Sequence, residues 1–115
     1  MIPLSIKQKI KLHAEATAPK ECCGFVLEED IFECKNYAEN PDHNFSISPK
    51  DYLKASRKGE FKAVYHSHPQ GDLKFSPYDI RVSESMNLDF VLYHNPTKKF
   101  LLYNPSNKKI TSLNE

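Results

Sequence analysis

The sequence predicts an α+β domain in which a mixed, largely antiparallel sheet of about six strands is flanked by three helices. Two observations carry this prediction. Three segments have a helical period or a helix-start pattern, and the short apolar or alternating runs between and after them are joined by tight turns, as in hairpins. With 115 residues the chain fits one domain, spanning residues 1–115.

The first helix is predicted from about Leu4 to Ala18. Apolar and small residues recur there at steps of three and four, Ser5 is the predicted N-cap, and Pro19 ends the pattern. The lysines of this segment form a solvated face. His13 is expected to pack at the margin of the core.

Two strands are predicted next, at residues 21–28 and 31–35, with a two-residue break that indicates a hairpin. Gly24, inside the first strand, indicates that another part of the chain approaches the backbone closely. Glu21 stands at the strand entrance. Taken alone, it is expected to be an exposed end residue.

The three cysteines, Cys22, Cys23 and Cys34, are an odd number with two adjacent, which is a poor basis for a disulfide framework. They also lack the C-x-x-C spacing of a structural zinc knuckle. We therefore expect reduced, buried strand residues. Cys22 stays an alternative nucleophile.

The second helix is predicted to begin after an irregular loop over residues 36–48, in which His43 is expected to be solvated. Ser48 as N-cap, a proline at the first helical position and Asp51 three residues after the cap form the start pattern. The helix should end near Lys58.

The remaining chain is predicted to supply a central strand, a third helix and the other strands of the sheet. In order, the predicted bounds are a strand at 61–66, a loop at 69–72, a helix from Ser76 to about Met86, strands at 89–94 and 99–103, and an edge strand at 110–113.

Charge and hydropathy exclude several classes of protein. Lys plus Arg is 16 and Asp plus Glu is 15, so the balance gives no reason to expect nucleic acid or a membrane as partner. No run approaches the roughly 18 apolar residues of a membrane span, and lysines interrupt residues 1–18 where a signal peptide would be apolar. The predicted compartment is the cytoplasm.

The strongest chemical signal lies in residues 65–79, at the predicted junction of a strand and a helix. In an extended segment His66 and His68 point to the same side while Ser67 faces away. Asp79, in the first turn of the following helix, can return a carboxylate to the two imidazoles. Two imidazoles and a carboxylate leave one tetrahedral position open, which is typical of catalytic zinc.

Ser76 and Asp79 also have a purely structural interpretation. A serine followed three residues later by an acid forms a capping box at a helix start, and the acid faces the positive end of the helix dipole. One such histidine pair can occur by chance, but the combination of His66, His68, Ser76 and Asp79 at these offsets favours a metal site.

These residues carry a family resemblance. A His-Ser-His-Pro run begins at His66, and Ser76 and Asp79 follow; upstream, residues 19–25 read Pro-Lys-Glu-Cys-Cys-Gly-Phe. Together they resemble the two motifs of the JAMM metalloisopeptidases, also called MPN-plus or JAB. The resemblance covers nearly the whole chain, and it implies that family's cytidine-deaminase-like α+β fold.

The resemblance also implies a role for each motif residue. His66, His68 and Asp79 would bind one zinc ion per chain. Glu21 would be the general base on the metal-bound water and would pass the proton to the leaving amine. Ser76 would hydrogen-bond the tetrahedral oxyanion.

Family members hydrolyse amide or isopeptide bonds, often behind the carboxyl end of ubiquitin or a ubiquitin-like protein. This chain is similar to the compact bacterial and phage members, and residues 80–93 resemble tail-assembly proteins of long-tailed phages. Its expected partner is a protein or peptide substrate, either ubiquitin-like or a phage tail protein, with a dimer left open. Two hypotheses remain: a zinc peptidase or isopeptidase, and a non-catalytic assembly module that keeps the metal site.

Overall fold

A computed structural model describes residues 2–113 and confirms the α+β class, with three helices and six strands in this part of the chain. None of these helices has the length and apolar character needed to cross a bilayer. In chain order the elements are α1 (Leu4–Thr17), β1 (Cys23–Val26), β2 (Ile31–Cys34), α2 (Pro49–Ser56), β3 (Ala63–His68), α3 (Pro77–Met86), β4 (Asp89–His94), β5 (Lys99–Asn104) and β6 (Lys109–Ser112).

The sheet is mixed, as predicted, with strand order β2-β1-β3-β4-β5-β6. Only β3 and β4 pair in parallel among the described strands, and α3 makes the crossover between them. The other neighbours pair antiparallel. Three of these pairs, β1–β2, β4–β5 and β5–β6, are hairpins, whereas β2 and α2 separate β1 from β3 in the chain.

Helix α1 covers one face of the sheet because its apolar residues fall on a single stripe. Ile6, Ile10 and Ala14 are all buried there. The prediction that Ser5 caps this helix was wrong. The N-cap is Pro3, whose extended backbone leaves its carbonyl to accept the N–H groups of Ile6 and Lys7, each at 3.1 Å.

The opposite face carries a second apolar cluster, and β3 contributes to both because its side chains alternate. Tyr65 packs with the α1 side, whereas Val64 packs with Phe90 and Leu92 on the α2 and α3 side. His66 follows Val64 by two residues and therefore points to this second face, where its ring stacks on Phe45 at a centroid distance of 4.7 Å.

Gly24 confirms the predicted close approach. A Cβ atom at this position would lie 2.7 Å from the Tyr65 ring and would also collide with the Phe32 carbonyl oxygen. Because Gly24 has no side chain, β2 and β3 can both pair closely with β1. The start of β1 therefore lies next to the end of β3.

Candidate metal centre

Strand β3 and helix α3 deliver the three residues that the sequence predicted as metal ligands. The predicted strand ended at His66, but β3 continues through His68, because residues 63–68 pair in parallel with β4 residue by residue. Both imidazoles consequently leave an extended segment on the same side. Asp79 reaches them from the first turn of α3.

The three side chains meet at one point. Asp79 Oδ2 lies 3.1 Å from His66 Nε2 and 3.2 Å from His68 Nε2. Donor atoms that bind one tetrahedral zinc at 2.0–2.2 Å lie about 3.3 Å from each other. The spacing of these donors therefore fits a zinc ion.

His66 is a buried histidine whose ring nitrogens make no hydrogen bond among the described residues. Its side chain is fully buried, and Nδ1 has no hydrogen-bond partner within the described residues. Nε2 lies 3.1 Å from Asp79 Oδ2, but without the geometry of a hydrogen bond. An unsatisfied buried imidazole is costly, and metal coordination satisfies one of its nitrogens. Burial lowers the pKa of His66 despite the neighbouring Asp79, so the ring stays neutral, as a ligand must be.

Asp79 has a structural task as well. Its Oδ2 accepts the Ser76 N–H at 2.9 Å, and Ser76 Oγ accepts the Asp79 N–H at 3.0 Å. This is the complete capping box that the sequence predicted. Burial alone would raise the pKa of Asp79, but the adjacent His66, the contact from His68 and the Ser76 N–H outweigh it, and the net pKa lies below its usual range. The carboxylate is ionised.

Glu21 is buried, not exposed as its position at a strand end suggested in isolation. One of its carboxylate oxygens, a ring nitrogen of His66 and a ring nitrogen of His68 lie within 4.8 Å of one another, so these three residues could also hold a metal ion. Burial, and then the charge of Asp79, raise the pKa of Glu21 to about 8. Two carboxylates with opposite pKa shifts thus face the same pair of histidines.

Ser67 ties the Glu21 segment to β3. It faces away from the metal centre, as predicted, and its Oγ accepts the Cys22 N–H at 2.8 Å while its own N–H donates to the Cys22 carbonyl at 3.2 Å. These two bonds hold Cys22, the residue that follows Glu21, beside the strand that carries the two histidines.

Burial and packing argue against the alternative in which Cys22 is a nucleophile. All three cysteines are free and buried, as expected, and burial raises the pKa of the Cys22 thiol to about 12. A thiol with so high a pKa supplies almost no thiolate at neutral pH. Cys22 instead belongs to the apolar cluster on the α1 side of the sheet.

A cleft of about 260 Å³ opens over this centre. Glu21, His68, Ser76 and Asp79 form its floor on one side. Two loops form its walls, one at residues 42–44 and one at residues 70–74. His43 is exposed, as predicted, and it lies in the first of these walls.

Sequence reasoning missed His94, which supports the second wall. It is buried at the end of β4, its Nε2 donates to the Gly71 carbonyl at 2.8 Å, and its Nδ1 lies 2.7 Å from the Thr97 hydroxyl. No sequence signal marks it, because Gly71 lies 23 residues away in the chain.

Both the sequence and the fold of this chain are similar to those of known proteins. A family model described as prokaryotic homologs of the JAB domain matches residues 3–103. Tail tip assembly protein K of Escherichia phage N15 is 39% identical over 74 residues, which covers 61% of this chain and 30% of that protein. The chain therefore spans less than a third of the length of this relative.

Solved structures share the fold. Protein DSY2949 from Desulfitobacterium hafniense superposes with a TM-score of 0.72 at 20% identity, over 95% of this chain and 86% of that one. A protein from Salinibacter ruber gives a TM-score of 0.55 at 16% identity, over 98% and 87%. With the family match over residues 3–103, the chain belongs to the family of prokaryotic homologs of the JAB domain.

Proposed function

We propose that this protein is a zinc-dependent hydrolase that cleaves a peptide or isopeptide bond. The observation that carries the proposal is the unused imidazole of His66, buried without a hydrogen-bond partner in the described structure and 3.1 Å from an ionised carboxylate. The JAB-domain family includes JAMM peptidases as well as many members without catalysis, so the activity depends on the site.

His66, His68 and Asp79 would hold the zinc. Asp79 is preferred to Glu21 as the third ligand because its Oδ2 already lies within 3.2 Å of both imidazoles and its carboxylate is ionised. When bound, zinc supplies Lewis-acid activation of a water molecule and brings the pKa of that water towards about 7.

Glu21 would act as the general base and then as the general acid. It takes a proton from the attacking water and gives it to the leaving amine. A raised pKa suits both steps, since a base of pKa near the working pH can also return its proton. One carboxylate oxygen lies within 4.8 Å of a ring nitrogen of each histidine, which supports this role for Glu21 beside the residues that would hold the metal.

Ser76 would stabilise the oxyanion. Its Oγ accepts the Asp79 N–H, which leaves the hydroxyl hydrogen free to donate, because a hydroxyl is both donor and acceptor. The hydroxyl lines the cleft beside the metal ligands. A fixed donor at that point stabilises charge that develops only in the transition state.

The substrate we propose is a protein or peptide, with a phage tail protein as the favoured class. The similarity to the tail tip assembly protein supports that class. The same similarity also supports the second candidate function, a tail-assembly module that binds its partner and keeps the metal site without hydrolysis.

A cleavage experiment separates the two candidates. Zinc-loaded protein is incubated with a library of peptides from a digested proteome and with lysine-linked isopeptides, and new termini are identified by mass spectrometry. We expect cleavage by the wild type and none by Glu21→Gln, which removes the base and keeps the shape of the side chain. Absence of cleavage by the wild type would favour the assembly module, and equal cleavage by both proteins would remove Glu21 from the mechanism.

A further inference from the structure

The side chain of Asn36 connects more segments around the cleft than any motif residue does. Its Oδ1 accepts the N–H groups of Ala38 at 2.9 Å and Ser46 at 3.1 Å. Its Nδ2 donates to the carbonyls of Glu21 at 3.0 Å and Asn44 at 2.8 Å. A longer contact of 3.4 Å reaches the Pro41 carbonyl. Both ends of the amide are thus in use.

These bonds matter because β3 holds the neighbouring Cys22, through Ser67, but within the described residues it makes no backbone hydrogen bond to Glu21 itself. Strand β1 begins at Cys23, so Glu21 lies outside the ladder of strand hydrogen bonds. Its N–H donates to the Pro41 carbonyl at 2.8 Å and its carbonyl accepts from Asn36. Both backbone groups of Glu21 are therefore bound by the loop that Asn36 organises.

The same loop forms one wall of the cleft. Residues 42–44 line it, and the bond from Asn36 to the Asn44 carbonyl fixes the far end of that wall. A shift of the loop would therefore move the wall and the Glu21 carboxylate together.

We propose that Asn36 is a positioning residue, which holds Glu21 at the metal centre and the wall at residues 42–44 as one unit. This inference rests on the proposed function, in which Glu21 is the base. The side chain has no simple substitute. Aspartate keeps the acceptor oxygen but has no amide hydrogens, and alanine keeps neither.

Two variants separate the contribution of the Asn36 side-chain nitrogen from that of its oxygen. Asn36→Asp keeps the acceptor for Ala38 and Ser46 and loses the donors to Glu21 and Asn44. Asn36→Ala loses all of them. The matched control is Asn104→Ala, because Asn104 Oδ1 accepts the N–H two residues on, at Ser106, by the same local geometry as Asn36 and Ala38, but in the hairpin between β5 and β6.

Amide hydrogen exchange is the first measurement. In Asn36→Ala we expect the Glu21 N–H to exchange about tenfold faster, while the Ser67 N–H, bonded to Cys22, keeps its protection. Asn36→Asp should show the Glu21 effect with smaller changes at Ala38 and Ser46. If Asn36→Ala does not fold, the Asn36→Asp result decides.

The second measurement uses cobalt in place of zinc and needs no substrate. The visible absorption of the bound cobalt depends on the groups that surround it, so a displaced Glu21 should change the spectrum. We expect Asn36→Ala and Asn36→Asp to alter it in the same direction as Glu21→Gln, with one metal bound per chain. Asn104→Ala should leave the spectrum unchanged.

Turnover is the third measurement, on whichever library peptide the wild type cuts. We expect kcat to fall about tenfold in Asn36→Asp at an unchanged zinc content. A wild type that cuts nothing would contradict the proposed hydrolysis only, because exchange and absorption still test the position of Glu21. The inference on Asn36 is overturned if its variants match Asn104→Ala in both exchange and absorption.

Discussion

His66 and His94 are buried on neighbouring strands, but their ring nitrogens differ in hydrogen bonding. His94 has both ring nitrogens in contact with protein oxygens, at Gly71 and Thr97. His66 has no hydrogen-bond partner for either nitrogen among the described residues. Since a buried polar group is costly unless it is paired, the two rings have different tasks. His94 is a structural support, and His66 is suited to bind something that comes from outside the chain.

The two opposite faces of the sheet show the same contrast. On the α1 face, Tyr65 bonds His13 at 2.7 Å and Tyr93 bonds Glu15 at 2.9 Å, so these polar groups are satisfied within the protein. On the other face the two ring nitrogens of His66 make no hydrogen bond among the described residues. Asn95 Oδ1 is also buried without a partner in the described part of the chain, but its Nδ2 donates to the Ala14 carbonyl of α1. His66 differs in that both of its ring nitrogens are unpaired among the described residues.

The largest effect we predict is on metal binding by the two buried histidines. His66→Ala should lower zinc affinity by about 100-fold or more, because it removes a ligand. His94→Ala should leave the zinc stoichiometry of the wild type. Titration with a competing zinc chelator measures both. Similar losses in the two variants would abolish the distinction between the two rings.

A smaller effect is expected on the free energy of unfolding, and here the His94 variant should lose more than the His66 variant. His94→Ala leaves the Gly71 carbonyl and the Thr97 hydroxyl without their buried partner, and it should reduce the free energy of unfolding by about 2 kcal/mol. In metal-free protein His66→Phe should cost less, since the His66 ring makes only a contact without hydrogen-bond geometry, to Asp79, and an aromatic ring can keep its packing on Phe45 and Phe90. Urea denaturation in the presence of a chelator compares them. A His66 variant that is the less stable of the two would contradict the account.

The smallest predicted effect is a pH dependence of the metal-free protein. The pKa of Glu21 is raised to about 8 in the folded state. Between pH 6.5 and 8 the folded protein therefore binds more protons than the unfolded one, and its stability falls as the pH rises. The lowered pKa values of His13 and His66 act with the opposite sign, but only below about pH 6.5.

Thermal unfolding with a chelator measures this dependence. We expect a loss of about 1 kcal/mol, or about 5 °C in Tm, between pH 6.5 and 8. Glu21→Gln should abolish most of it, because an amide does not titrate. If the stability of Glu21→Gln fell equally with rising pH, the proton would be bound by another group.

Much of the fold and of the metal centre could be predicted because the determining interactions are local. The helix starts at Ser48 and Ser76 depend on residues three positions away, and the histidine pair depends on an extended strand. The wrong prediction that Ser5 is the N-cap also has a local cause, since Pro3, with its extended backbone, is the N-cap instead. The end of β3 was placed too early, because pairing with β4 extends the strand through His68.

The supporting residues could not be predicted, since their partners lie far away in the chain. Ser67 bonds Cys22 across 45 residues, and His94 bonds Gly71 across 23. Glu21 became a candidate only through the family motif, because its burial depends on β3, α3 and the loop bound by Asn36. Contacts between residues so far apart leave no periodic pattern in a single sequence from which they could be predicted.

The zinc content of three proteins, measured by mass spectrometry after purification in excess zinc, tests the central claim most directly. We predict about one zinc per chain in the wild type and in Glu21→Gln, and none in Asp79→Asn, whose amide cannot replace the carboxylate ligand. Zinc in Asp79→Asn but not in Glu21→Gln would make Glu21 the ligand and remove it as the base. A wild type without zinc would contradict the proposed metal centre itself.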